Sequence, residues 1–262
     1  MKRSAFTLVE LLVVIAIVGL LSSVAVVATS NSRDKAKVAA GQSFDQSLRH
    51  GLGDQLVGEW LMNECSGNTA ADSSGSGSTA TWSGGAGWST SNAPGSSGCS
   101  AGFSGSNQLS SSLNLQSPNV TFSAWVYPTS VAGWNTVIGK ELQYRLDIHD
   151  GKPRYVISCN GTNWIAQGEA TGPLVPTNSW SMIALSVDSV NQNATLYLNG
   201  NAVNKGTTCN ITAYNANPVT MGLVFYGRID DVRTYTNAVS LSQIQKMYAE
   251  GLPAHQLATI AK

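Results

Sequence analysis

The sequence predicts an α+β protein by parts, in which a long hydrophobic N-terminal helix precedes an all-β antiparallel sandwich of the jelly-roll type. Three observations lead to this prediction. Residues 6–28 form an apolar run, the chain from residue 55 onward alternates apolar and polar residues, and turn-forming dipeptides separate the alternating runs. Because these short runs follow one another without helical patterns between them, an antiparallel sandwich is favoured over a parallel sheet.

Composition restricts the classes of function. Of the 262 residues, 42% are apolar and 11% are charged, with 15 Lys and Arg against 15 Asp and Glu. The apolar share is enough to build a core, which argues against a disordered chain. A basic surface for nucleic acid would need an excess of Lys and Arg, so we expect no nucleic-acid partner.

The apolar run at residues 6–28 is long enough to cross a membrane, since a spanning helix needs about 20 apolar residues. Lys2 and Arg3 precede it, which predicts a cytoplasmic N-terminus and an external location for the chain beyond residue 30. Secretory signal peptides have a shorter apolar core of about 7–15 residues. Glu10 lies inside the run, where a carboxylate costs roughly 3 kcal/mol and needs a partner.

The segment AFTLVE at residues 5–10, followed by the apolar run, resembles the class III leader of type IV pilins and pseudopilins. The resemblance implies that a prepilin peptidase cleaves between Ala5 and Phe6 and that Phe6 is then N-methylated. It also implies that Glu10 neutralises the N-terminal ammonium of a neighbouring subunit in a filament. Glycine is the usual residue of that family at the position of Ala5.

These patterns divide the chain into four parts. Residues 1–5 are the leader, residues 6–53 the transmembrane and assembly helix, residues 54–250 the β-sandwich and residues 251–262 a tail. A short amphipathic helix at residues 240–248 is predicted to close the sandwich, because its apolar residues recur at helical spacing behind a serine cap.

Nine strands are predicted within the sandwich. They are residues 57–61, 120–127, 135–138, 144–148, 154–158, 181–187, 194–198, 219–223 and 227–235. The dipeptide Asp150-Gly151 between two alternating runs is a strong hairpin signal. The Gly- and Ser-rich residues 66–106 also contain Trp82 and Trp88, so we expect an ordered, loop-rich part of the domain rather than a linker.

A second resemblance covers roughly residues 56–250. The blocks that carry it are residues 58–61, 72–75, 103–106, 121–128, 180–187, 196–200 and 227–233. Together they resemble a laminin G-like or concanavalin A-like jelly roll. The resemblance implies two packed antiparallel sheets. It implies no activity, because binding modules, adhesins and some enzymes share this fold.

The four cysteines all follow the predicted membrane segment and should meet an oxidising environment. Four cysteines allow three pairings. The sequence favours Cys65–Cys99, which would clamp the Gly- and Ser-rich segment, and Cys159–Cys209, which would tie two late segments together.

Two tryptophans are candidate ligand-binding residues. Trp134 and Trp164 flank predicted turns, and exposed indole rings stack on sugar rings. The alternative is that they plug the ends of the sandwich, and the same two alternatives hold for Trp82 and Trp88.

The jelly-roll resemblance implies Asp72, Asp230 and Asp231 as candidate ligands of a structural calcium ion, although calcium needs six to eight oxygen ligands. The alternative for Asp230 and Asp231 is a structural role, as a turn hydrogen bond or a salt bridge with Arg228 or Arg233. No other cofactor is expected. A glycosidase of this fold would need paired carboxylates facing one cleft, and no E-x-D-x-x-E string occurs in the sequence. We therefore predict that the chain is not an enzyme.

The combined prediction is a pilin-like or pseudopilin subunit. It would assemble with other pilin-like subunits through its N-terminal helix, from the inner membrane into a surface filament or a periplasmic pseudopilus. Its outer domain would bind a carbohydrate or a surface protein. The alternative is a membrane-anchored extracellular binding module that does not polymerise.

Overall fold

The computed structural model describes residues 55–90 and 98–260, together with Leu12 and Ile15, which are helical and exposed. The chain divides into two compact units, Met1–Leu52 and Gly53–Lys262. Apart from Leu12 and Ile15, the predicted membrane helix lies outside the described residues. Among the residues that are described, no helix has both the length and the hydropathy of a membrane span.

The described residues of the second unit form sixteen strands in two eight-stranded antiparallel sheets. Sheet A comprises β1 (Leu56–Trp60), β4 (Trp88–Ser89), β5 (Ser100–Ser104), β7 (Asn119–Pro128), β12 (Ser181–Asp188), β13 (Asn193–Leu198), β14 (Asn201–Thr207) and β16 (Tyr226–Tyr235). Sheet B comprises β2 (Thr69–Ala70), β3 (Ala80–Ser83), β6 (Gln108–Ser111), β8 (Trp134–Lys140), β9 (Tyr144–His149), β10 (Lys152–Ile157), β11 (Ala166–Glu169) and β15 (Val219–Met221). One helix, α1 (Leu241–Ile260), follows the last strand. The predicted sandwich is confirmed.

The spatial strand order is β14-β13-β12-β7-β16-β5-β4 in sheet A, with β1 paired to β16. In sheet B the order is β11-β10-β9-β8-β15-β6-β3-β2. Strands that are distant in sequence are therefore neighbours in both sheets, so the fold depends on long-range pairing.

The core lies between the two sheets and follows from the two-residue period of each strand. On β9, Tyr144, Leu146 and Ile148 are fully buried, and on β7 Phe122 is fully buried as well. The rings of Phe122 and Tyr144 meet edge to face with centroids 6.3 Å apart. A shift of one residue in register would move these side chains to the outside, so the alternation fixes the pairing.

Two hairpins have the tight turns that their dipeptides favour. Asp150 and Gly151 have φ angles of 47° and 81°, and Asn199 and Gly200 have φ angles of 50° and 77°. A type I′ turn requires positive φ at both central residues, which Asn, Asp and Gly tolerate best. The Asp150-Gly151 hairpin predicted from the sequence is thus present between β9 and β10.

Two regions contain more regular structure than predicted. The Gly- and Ser-rich segment supplies β2, β3, β4 and β5. Helix α1 extends to residue 260 and includes most of the predicted tail. Gly251 and Pro253 disfavour a helix interior by roughly 1 and 3 kcal/mol, but a Cβ at Gly251 would lie 2.3 Å from Nε1 of Trp125. The glycine therefore allows a close packing contact that offsets part of this cost.

Cys65 bonds to Cys99 and Cys159 bonds to Cys209, with Cα atoms 5.5 and 5.9 Å apart. These are the two pairs that the sequence favoured. The first joins the segment after β1 to the start of β5. The second joins the loop after β10 to the segment after β14.

Candidate functional site

The outer face of sheet A is covered by helix α1. The indole of Trp125 on β7 stacks on the imidazole of His255 at 4.0 Å and on the ring of Tyr248 at 5.6 Å, both measured between centroids. Trp125 and Trp180 are 2% and 9% exposed. The helix therefore closes this part of the face, and its aromatic residues serve packing.

His255 pairs with Asp230 beneath the same helix. Its Nδ1 donates a hydrogen bond to the carbonyl oxygen of Gly251 at 2.7 Å, and its Nε2 lies 3.1 Å from Oδ2 of Asp230. Burial raises the pKa of Asp230 to about 6, while the hydrogen bond from His255 and its charge oppose that rise. The sequence predicts a tail at residues 251–262, so this pair was not expected.

The three carboxylates expected to bind calcium do not form one group. Asp72 accepts hydrogen bonds from three backbone amides and from the hydroxyl of Ser76. Asp230 contacts the imidazole described above, and Asp231 lies 3.0 Å from Arg233. Within the described part of the chain, no group of three or more His, Cys, Asp or Glu side chains could hold a metal ion.

The hydrogen bonds explain what Asp72 does instead. Burial alone would raise the pKa of its carboxyl, but hydrogen bonds from Ser76, Glu59 and Ser74 outweigh burial and lower the pKa to about 2. Asp72 therefore stays charged and holds the segment after β2 against β1.

A β-bulge explains the surroundings of Asp230 and Asp231. Neighbouring side chains on a regular strand point to opposite faces. The register shifts between Asp230 and Arg233, and Asp231 has a φ of 48°. The shift places Arg233 opposite Ser123, on the same face as Asp230, and Asp231 reaches that face through its contact with Arg233.

The outer face of sheet B carries the candidate site. Arg145, Asp147 and His149 alternate on β9 with its core residues, so all three point outward. The register places Arg154 of β10 opposite Asp147 and Trp134 of β8 opposite His149. One face thus collects aromatic, cationic and acidic side chains from three adjacent strands.

Asp147 is the centre of this face. Arg145 donates two hydrogen bonds to its two carboxylate oxygens, each at 3.2 Å, and Nη1 of Arg154 lies 3.8 Å from Oδ2. Asp147 is fully buried beneath these side chains. Burial raises the pKa of its carboxyl, and the charges of Arg145 and Arg154 and a hydrogen bond from Thr136 oppose that rise.

The two candidate tryptophans lie at the two ends of this row. The guanidinium carbon of Arg154 is 4.3 Å from the ring centroid of Trp134, and that of Arg145 is 5.6 Å from the ring centroid of Trp164. Trp134 also packs on His149 at 4.2 Å, yet it is 47% exposed. We call the row Trp134–Arg154–Asp147–Arg145–Trp164 the aromatic–arginine row.

The two tryptophans were predicted from the sequence, but the three charged residues between them were not. The signal was present, because Arg145, Asp147 and His149 alternate with apolar residues. Such alternation shows which residues share a face, but not which strand lies beside them. Trp82 and Trp88 have a different role: Trp82 is 5% exposed and packs on Phe103, and Trp88 packs partly buried against the core.

The remaining charges of the face are also paired. Nζ of Lys152 and Nδ1 of His149 contact the two carboxylate oxygens of Glu169 at 3.0 and 3.1 Å. These two hydrogen bonds lower the pKa of Glu169. The face therefore offers hydrogen-bond donors and acceptors in near balance beside two aromatic rings.

The loop that carries Trp164 connects β10 to β11 and is held at its start by a disulfide. Cys159 bonds to Cys209, and its carbonyl oxygen accepts hydrogen bonds from the amide and the hydroxyl of Thr212. Oδ1 of Asn160 then accepts hydrogen bonds from the backbone amides of Thr162 and Asn163. The position of Trp164 thus depends on covalent and local constraints.

Sheet A has a further depression of about 310 Å³ beside the start of α1. Lys205 and Leu241 line it together with Tyr197. Tyr197 is 6% exposed, so its ring offers little stacking surface. The aromatic–arginine row remains the better candidate for ligand binding.

Two family models match the sequence. Residues 101–245 match the concanavalin A-like lectin/glucanases superfamily, and residues 1–26 match the prokaryotic N-terminal methylation motif. No curated protein matches the chain. Both resemblances found in the sequence are thereby confirmed.

The sandwich is similar to solved binding domains. The binding domain of Paraclostridial Mosquitocidal Protein 1 has a TM-score of 0.59 at 15% identity and covers 75% of this chain and 52% of that domain. Botulinum neurotoxin type C, which needs interaction with two ganglioside molecules to enter cells, has a TM-score of 0.59 at 14% identity over 76% of this chain and 52% of its own. The chain thus spans about half the length of these toxin structures.

Domain 4 of AbnA, a GH43 extracellular arabinanase from Geobacillus stearothermophilus, was solved in complex with arabinotriose. It has a TM-score of 0.59 at 20% identity and covers 74% of this chain and 98% of its own. At such low identities, these similarities establish a shared fold and nothing more.

Proposed function

Because the chain belongs to the concanavalin A-like lectin/glucanases superfamily and begins with a prokaryotic N-terminal methylation motif, we propose that it is a type IV pilin-like or pseudopilin subunit that displays a binding domain. The observation that carries the proposal is the presence of both modules in one chain. The N-terminal methylation motif directs the chain to a membrane and a filament. The concanavalin A-like domain exposes an aromatic face to a ligand.

In this proposal a prepilin peptidase cleaves between Ala5 and Phe6 and the new N-terminus is methylated. Glu10 then pairs with the N-terminal ammonium of a neighbouring subunit, which makes a buried charge tolerable. Before assembly the chain crosses the inner membrane once, with the sandwich outside. The two disulfides support that location, because disulfides persist in oxidising compartments.

We assign the sandwich a binding role rather than a catalytic one. We call the outer face of sheet B, which carries the aromatic–arginine row, the open face. Its acidic side chains Asp147 and Glu169 already have basic partners: Asp147 has two arginines, and Glu169 has Lys152 and His149. A general acid or base needs a carboxyl that can reach its substrate. Trp134, in contrast, is accessible for stacking.

The mature N-terminus tests the proposal. Mass spectrometry of membrane and surface fractions should find a chain that begins at Phe6 and carries one extra methyl group. An intact Met1, or cleavage beyond residue 28, would contradict processing by a prepilin peptidase.

Assembly is tested separately with Glu10→Gln. This variant should lose filament incorporation while the sandwich remains folded, as judged by the circular dichroism and protease resistance of the full chain. Normal incorporation of Glu10→Gln would contradict the assembly role of Glu10. The absence of filaments from the unsubstituted chain would favour an anchored binding module that does not polymerise.

A further inference from the structure

We propose that Asp147 sets the charge preference of the open face and makes it a site for an uncharged, extended oligosaccharide. This inference rests on the binding role proposed above. It names a ligand class for the aromatic–arginine row and assigns Asp147 as the positioning residue.

The charge balance of the open face favours an uncharged ligand. Three fixed cations on this face, Arg145, Lys152 and Arg154, are in contact with Asp147, Glu169 or Glu141. Asp150 adds a fourth carboxylate beside His149 at 3.8 Å. Because the positive charges are compensated in place, a sulfated or carboxylated glycan gains little Coulombic attraction here.

The spacing of the two tryptophan rings favours an extended ligand. Trp134 lies beside His149 at one end of β9, and Trp164 lies over Arg145 four residues away along the strand. Four residues of a strand span about 13 Å. A ligand that uses both rings must therefore be longer than one sugar ring. The apolar faces of its sugars would stack on the indoles, and its hydroxyl groups would meet donors and acceptors between them.

Asp147 contacts both arginines of the row. Its carboxylate holds Arg145 by two hydrogen bonds and attracts Arg154, and each of these arginines supports one tryptophan. One buried carboxylate thus acts on both stacking rings at once. Neutralising it would release two guanidinium groups and disturb both rings.

The test uses the full-length chain in detergent on a glycan array of neutral, sulfated and uronic-acid-containing oligosaccharides. The unsubstituted chain should bind neutral oligosaccharides about tenfold or more above the matching monosaccharides, since two stacking contacts replace one. Trp134→Ala should lose about tenfold. Tyr226→Ala is the matched control, because Tyr226 is 45% exposed but lies on sheet A.

Asp147→Asn should lose about tenfold in affinity for the neutral oligosaccharides and gain affinity for the sulfated ones. Asp188→Asn, at the end of β12 in sheet A, should change neither. A merely structural effect would lower all affinities together, so the reversal of charge preference is the diagnostic result. If Asp147→Asn fails to fold, Arg154→Gln should lower neutral binding without any gain for sulfated glycans.

Three outcomes would overturn the inference. They are a preference of the unsubstituted chain for acidic glycans, an equal loss for all glycans in Asp147→Asn, and binding of no glycan at all. None of these changes the mature N-terminus or filament incorporation, so the pilin-like role would stand or fall on its own tests.

Discussion

The two outer faces of the sandwich carry similar chemistry under different cover. On sheet A, Trp125 stacks on His255, which pairs with Asp230, and helix α1 closes over all three. On sheet B, Trp134 stacks on Arg154, which lies beside Asp147, and Trp134 remains 47% exposed. An aromatic ring, a basic side chain and a carboxylate therefore do not by themselves mark a binding site. The covering element decides whether they stabilise the fold or meet a ligand.

The largest expected effect is the difference in unfolding free energy between Trp125→Ala and Trp134→Ala. Removal of the buried indole should cost about 3–5 kcal/mol of unfolding free energy, because a cavity remains between sheet A and α1. Removal of the exposed indole should cost less than about 1 kcal/mol. Chemical denaturation followed by circular dichroism measures both. Equal losses would show that the open face is also a packing surface.

Removal of either disulfide should lower stability, but removal of only one of them should also weaken binding. They close segments of 34 and 50 residues, so removal of either should cost a similar amount, about 2–5 kcal/mol. Only the Cys159→Ala/Cys209→Ala variant should also weaken binding on the glycan array, because Cys159 begins the loop that carries Trp164. Cys65→Ala/Cys99→Ala is the matched control. Weaker binding in both variants would mean that general destabilisation accounts for the loss.

The open face on sheet B was partly predictable from the sequence. The outer face of sheet A beneath α1, the covered face, was not. Period-two alternation predicts which residues of β9 point outward, and dipeptides such as Asp150-Gly151 predict where a strand turns. The two tryptophans were recognised because they flank turns. The arginine and aspartate partners between them depend on the order of β8, β9 and β10 in the sheet, which alternation does not encode.

The covered face depends on a tertiary contact that overrides local propensity. Gly251 and Pro253 ordinarily end a helix, so the sequence predicted a tail there. The structure continues the helix because Gly251 fits against Trp125 and His255 stacks on the same indole. Likewise, the Gly- and Ser-rich segment forms strands because its alternating apolar residues, such as Trp82 and Phe103, fill the core.

The stability of the protein should depend on pH because of Asp230, which pairs with His255 beneath α1. The pKa of Asp230 is raised from 3.8 to about 6 in the folded state, so the folded protein binds this proton more tightly than the unfolded chain. Its contribution to stability is fully present below about pH 4 and is lost as the pH rises through about 6, a change of about 2–3 kcal/mol. Asp230→Asn should reduce this slope.

Thermal unfolding between pH 4 and pH 7 measures the effect. Asp188→Asn is the control, since hydrogen bonds from Asn191 lower the pKa of that exposed carboxyl and its removal should leave the fall in stability intact. An unchanged slope in Asp230→Asn would show that Asp230 does not titrate with folding in this range.

The smallest expected effect concerns an ion pair on the open face. Lys152 and Glu169 lie 3.0 Å apart with side chains 44% and 32% exposed. Solvent screens such pairs, so a double-mutant cycle with Lys152→Ala and Glu169→Gln should give a coupling below about 1 kcal/mol. The unfolding free energies of the two single variants and the double variant supply the cycle. A coupling above about 2 kcal/mol would indicate that the pair is desolvated like Asp230 and His255. The two faces would then no longer differ in the way that their cover predicts, and the case for sheet B as the ligand face would rest on Trp134 alone.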